Sequence, residues 1–118
     1  AGSVTSVEIF DDFVARARGN LARAGVENVQ LHCQDALVKI PPGEFDAILV
    51  SGSSALLHQP FVDALRPGGR LFAVTGEPPA KNAILVSNST DRELHIASLF
   101  ETDIPSLINA TEYPQFIF

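Results

Sequence analysis

The stretch that most limits the fold is FDAILVS, residues 45–51, an apolar run broken only by Asp46 and set between the turn PPGE and the small residues Ser51-Gly52-Ser53-Ser54. A run of that length between turn formers suits a strand covered on both faces, the environment that parallel sheets provide. Residues 45–50 are therefore the expected central strand.

The segments around it alternate in type. Val4 to Ile9 is rich in β-branched residues and stops at Phe10-Asp11-Asp12, where the two carboxylates are good N-caps for a helix. From Phe13 the apolar positions Phe13, Ala17, Leu21 and Ala24 recur at helical spacing, Arg16, Arg18 and Arg23 can reach solvent, and Gly25 ends the helix. A short strand, Val29 to Cys33, leads into Gln34-Asp35. Pro60 suits the first turn of a helix over residues 60–66, which RPGG, residues 66–69, breaks before a strand from Arg70 to Thr75. Strand, helix, strand, strand, helix, strand is an α/β order, with right-handed crossovers.

The last third changes character. Ala83 to Ser87 and Glu93 to Phe100 read as strands joined by NSTDR, a polar segment of hairpin length, so an antiparallel pair closes the sheet. Residues 102–118, with Pro105, Pro114, Phe116 and Phe118, are expected to form an extended tail anchored by its aromatic rings.

Charge narrows the partners. With a formal net charge of −6 and only eight scattered Lys and Arg, the chain offers no broad surface for nucleic acid or an anionic membrane, and a small neutral or cationic ligand is the better expectation. No apolar run approaches the roughly 20 residues of a bilayer span and no leader pattern opens the sequence, so a cytoplasmic location is expected. Cys33, the single cysteine, reads as a small apolar strand residue. His32, His58 and His95 show no metal-ligand spacing, and no nucleophile elbow or Ser, His and acid arrangement appears, so no metal is expected and the catalytic residues stay unassigned.

In open α/β sheets, ligands bind beyond the carboxyl ends of the strands. Three such ends carry chemistry here. Glu8 closes the first strand, where a carboxylate can accept hydrogen bonds from both hydroxyls of a ribose; the competing role is a helix cap, which Asp11 and Asp12 can already fill. Asp35 follows the second strand and can accept a hydrogen bond from an adenine amino group while Ala36 offers its backbone N–H to the ring; a turn-initiating Asp is the equal alternative. Ser51 to Ser54 either let a ligand approach the backbone closely or form a solvated loop.

An acidic ribose ligand is usually preceded, about 20 residues earlier, by a glycine-rich turn after the first strand. Counting back from Glu8 runs off the chain, so that strand and turn are expected ahead of Ala1. Without them the strand edges at residues 4–9 and 45–50 must pair with each other, borrow a strand from a second copy in a homo-oligomer, or leave the chain unstable.

VTSVEIFDDFVARARGNLARAGVENVQLHCQDA, EFDAILVSGS and LRPGGRLFAVTGE, taken in order, resemble the protein-L-isoaspartate O-methyltransferase family of S-adenosylmethionine-dependent class I methyltransferases. The resemblance implies a Rossmann-like sheet, mostly parallel with a C-terminal antiparallel hairpin and with its first strand missing. It implies that residues 1–118 are the C-terminal part of the domain and inactive as they stand. S-adenosylmethionine is the implied cofactor, and the implied substrate is a protein or peptide with an isoaspartyl carboxylate. By the same resemblance Glu8 holds the ribose, Ile9 packs on the adenine, Asp35 and Ala36 lie at its edge, Ser51 lies near the cofactor, and Gly68 and Gly69 shape a turn. Two readings compete with methyl transfer: an NAD(P)-binding oxidoreductase domain, and a noncatalytic interaction module of the same fold.

Overall fold

The computed structural model describes residues 2–76, 81–91, 93–102 and 104–108. Its strands fall into two sheets, and the chain divides into two units, Ala1–Pro41 and Pro42–Phe118.

The first unit is a β-α-β crossover. Strands β1 (Val4–Glu8) and β2 (Val29–Cys33) pair in parallel, with Val4 opposite Val29 and Glu8 opposite Cys33. Helix α1 (Asp11–Arg23) joins them. It starts two residues earlier than its apolar spacing suggested: Phe10 is the N-cap, no side chain caps it, and Asp11 and Asp12 sit in the first turn, where they favour the positive end of the helix dipole. Its inward face is Val14, Ala17 and Leu21, whereas Phe13, expected inside, is 47% exposed and meets the Phe10 ring edge to face at 5.5 Å. The C-terminus closes as expected. Gly25 takes φ +69°, its N–H donates to Ala22 O at 3.2 Å and Val26 N–H donates to Leu21 O at 3.0 Å, the paired bonds of a Schellman cap.

The second unit holds a four-stranded sheet in the order β3-β4-β5-β6 and a short helix. β3 (Phe45–Ser54) and β4 (Leu65–Thr75) are parallel; β5 (Asn82–Asn88) and β6 (Leu94–Glu101) add the antiparallel hairpin. Helix α2 (Gln59–Asp63) is shorter than expected, with Pro60 in its first turn and Phe61 and Val62 buried. Around them the core gathers Ala64, Leu65, Leu71, Ala73, Val74, Ala83, Ile84 and Val86.

Two expectations need correction. β3 is not the central, doubly covered strand: it lies at one end of its sheet, Leu49 is 73% exposed, and the inner places belong to β4 and β5. Apolarity records what a strand must be covered by, but it does not name the neighbour, and among the described residues of this unit only β4 pairs along β3 as a strand. RPGG, in turn, does not separate a helix from a strand. Pairing jumps from Phe45↔Leu65 to Ala47↔Arg70, so Arg66-Pro67-Gly68-Gly69 bulge out of β4. Gly68 has φ +85°, and a Cβ on Gly69 would lie 2.9 Å from Arg66 O and 3.1 Å from Phe45 O. Asn88 backs the bulge, its Nδ2 donating to Leu65 O and Arg66 O at 3.3 Å each.

β1 and β3 fall in different sheets, so these two strands do not make good each other's open edge. Of the tail, residues 104–107 run beside the end of β3, while Pro114, Phe116 and Phe118 lie outside the described residues. No helix among the described residues is long and apolar enough to cross a membrane.

Candidate functional site

The parallel register of β1 and β2 brings two of the predicted strand ends together. Glu8 stands opposite Cys33, Gln34 N–H donates to Glu8 O at 3.1 Å, and the Cys33 thiol lies 3.6 Å from Ile9 O. Glu8, Ile9, Asp35 and Ala36 are all half-buried, and all follow the carboxyl ends of two adjacent strands.

Each carboxylate shows part of its competing role. Glu8 Oε1 accepts from Phe10 N–H at 3.4 Å, beyond the usual 2.7–3.2 Å range, so the contact holds the carboxylate near the helix entry only weakly. Asp35 Oδ1 accepts from Leu37 N–H at 2.9 Å, and Asp35 O accepts from Val38 and Lys39 N–H at 3.1 and 3.0 Å. Asp35 thus does initiate a turn. The turn is tied further by Gln34 Nε2, which donates to Lys39 O at 2.9 Å.

In the second unit, Ser51 is exposed but does not lie in a loop. β3 continues to Ser54 after a bulge in which Val50, Ser51 and Gly52 stand opposite Ala73 alone, between the pairs Leu49↔Phe72 and Ser53↔Val74. Bulges of this kind re-aim side chains and are common beside functional sites. Ser53, expected in a close-approach segment or a solvated loop, is buried, and sequence reasoning missed its neighbours, buried Lys81 and the return of residues 104–107. The one available signal was Lys81 itself, a lone cation two residues before the apolar run AILV.

His58 meets the Phe61 ring at 4.9 Å and exposed His95 lies 4.0 Å from Glu93, and among the described residues no three His, Cys, Asp or Glu side chains gather as metal ligands. In the β5–β6 turn, hydrogen bonding from Ser89, then from the Glu93 backbone, holds exposed Asp91 below the ordinary carboxylate range.

A β-α-β unit with an acid at its first strand end, and a parallel pair extended by an antiparallel hairpin, have the architecture of class I methyltransferases. Fold likeness agrees. The chain superposes on a Plasmodium falciparum protein described as a protein-L-isoaspartate O-methyltransferase, in complex with S-adenosyl-L-homocysteine, with a TM-score of 0.76 at 22% identity, covering 89% of this chain and 52% of that one. A second structure, of a protein-L-isoaspartate O-methyltransferase, gives 0.77 at 25% identity, covering 89% of this chain and 34% of that one.

The family model of protein-L-isoaspartate(D-aspartate) O-methyltransferase (PCMT) matches residues 1–106, and the chain belongs to that family. Protein-L-isoaspartate O-methyltransferase of Methanoculleus marisnigri is 44% identical over 77 residues, 64% of this chain and 35% of that protein. The enzyme of the same name from Pyrococcus horikoshii is 38% identical over 76 residues, 64% and 34% of the two chains. The chain therefore spans about a third of the length of these relatives. The oxidoreductase and noncatalytic alternatives find no support among these matches.

Proposed function

We propose that residues 1–118 are part of an S-adenosylmethionine-dependent methyltransferase domain that esterifies a carboxylate on isoaspartyl-containing proteins or peptides. The observation that carries this reading is the in-register end of β1 and β2, with Glu8 beside Cys33 and Asp35 just beyond, inside the segment matched by the family model.

The residues fit the cofactor's nucleoside. The Glu8 carboxylate, which accepts a long hydrogen bond from Phe10 N–H, has acceptor capacity for the two ribose hydroxyls. Half-buried Ile9 offers an apolar surface to the adenine, Asp35 accepts from its amino group, and the Ala36 N–H donates to the ring. Exposed Ser51, carried on the β3 bulge, is the one further residue assigned to the cofactor. When bound, S-adenosylmethionine supplies an electrophilic methyl group on a sulfonium. The protein's task is then to orient a carboxylate that is already nucleophilic, and no covalent intermediate with a side chain is needed. The role of the chain's own residues is binding and alignment.

The test is calorimetry with S-adenosyl-L-homocysteine, on the chain itself and on a chimaera that adds, ahead of Ala1, the part of the Methanoculleus relative that this chain does not match. Binding to the chimaera is expected, with Glu8→Gln weakening it by about 1.5–3 kcal/mol, the range for hydrogen bonds to a charged group. A loss under about 1 kcal/mol would remove Glu8 from the site. Binding of NADH in place of the methyl-donor product would overturn the class.

A further inference from the structure

The carboxyl end of β3 is built from more than β3. Ser53 is fully buried, and both of its backbone groups are used by the return segment: Ser53 N–H donates to Pro105 O at 3.0 Å and Leu107 N–H donates to Ser53 O at 2.7 Å, a parallel bridge between Ser53 and Ser106. Lys81, only 4% exposed, reaches the same place. Its Nζ donates to Ile104 O at 2.7 Å and to Ser53 Oγ at 2.9 Å, Ser53 Oγ itself donates to Ile104 O at 3.0 Å, and the Lys81 carbonyl accepts from Thr102 N–H at 3.0 Å. On the other side the Leu107 side chain presses on Gly52, where an added Cβ would come within 2.4 Å of it.

Burying an ammonium is costly unless it is hydrogen-bonded, and a bond from a charged donor is about twice as strong as a neutral one. Among the described residues, one strand bridge, the Ser53–Ile104 hydrogen bond and the Leu107–Gly52 contact join residues 104–107 to β3, and the Lys81 ammonium adds a charged donor to them. We propose that Lys81 is a latch: its ammonium fastens residues 104–107 as a strap across the carboxyl end of β3, and the strap opens and closes as one unit over the bulge that carries Ser51. The latch itself rests on the contacts just given. Its consequence, control of the ground beside Ser51, rests on the cofactor reading above.

Amide hydrogen exchange on the full 118-residue chain tests it without any ligand, so its outcome is separate from the calorimetry. In the unaltered chain Ser53 and Leu107 should exchange at one common rate. Lys81→Met, which keeps the bulk and the Ser53–Ile104 bond, should speed both by at least tenfold while Leu71 and Val74 in β4 change by less than twofold. Gly52→Ala, which leaves Lys81 in place, should release the same two amides by displacing Leu107. Unchanged exchange at Ser53 and Leu107 in Lys81→Met, or equal acceleration at Leu71 and Val74, would overturn the latch. Should Lys81→Met fail to fold, the unaltered protein still decides: the Lys81 ammonium protons should exchange slowly with water and couple through the hydrogen bond to the Ile104 carbonyl carbon, and an ammonium exchanging freely with no such coupling would reject the proposal.

Discussion

The two units use burial very differently. Of the buried apolar residues described, Val14 alone lies in Ala1–Pro41, while Phe61, Val62, Ala64, Leu65, Leu71, Ala73, Val74, Ala83, Ile84 and Val86 all lie in Pro42–Phe118. Yet four of the five residues proposed to hold the cofactor, Glu8, Ile9, Asp35 and Ala36, belong to the thinly packed unit. A strand pair and one helix place ligand groups accurately through register and capping, but they bury too little to be rigid by themselves. A ligand that binds this unit only when folded should therefore stabilise it markedly.

The largest test of that contrast is Leu71→Ala, at a site with no exposure, which should lower stability by about 2–5 kcal/mol in urea unfolding. Next comes Gly69→Ala, where the new Cβ meets backbone carbonyls rather than a side chain that can move aside. It should lower stability by about 1–3 kcal/mol and shift the amide signals of Phe45 and Asp46. Val14→Ala, in the thin unit, should cost about 1.5 kcal/mol, and the loss should appear as faster exchange in β1 and β2 with the β4 and β5 amides unmoved. A Val14→Ala loss as large as that of Leu71→Ala, spread evenly over both units, would erase the distinction.

The smallest effect concerns pH. Because the folded Asp91 carboxyl is held below the ordinary carboxylate range, its contribution is present above that range and fades as pH falls through the lower folded value. The Ser89 and Glu93 amides of the β5–β6 turn should loosen only in that acidic window, and Asp91→Asn should remove the dependence.

Much of the fold was legible because local rules and tertiary demands agreed. Gly25 ended α1, Val29 to Cys33 formed β2, and NSTDR joined an antiparallel hairpin, each for reasons contained within a few residues. Glu8 and Asp35 were legible as strand-end acids for the same reason. What escaped was non-local. The helical spacing of Phe13 could not say that Phe10 would take its ring on the solvent side, and the apolarity of residues 45–50 could not say which neighbours would flank them. Nothing near Lys81 in the chain announces Ile104, 23 residues away.

The alternation of strands and helices, the acids at the strand ends and the glycine that ends α1 follow from sequence alone, because backbone dihedral preference and hydrophobic period act over short distances. Strand order, the bulge that exposes Ser51 and the burial of Lys81 under a returning segment were decided by tertiary structure, because hydrogen-bond partners on an open strand edge are chosen by whichever backbone arrives there.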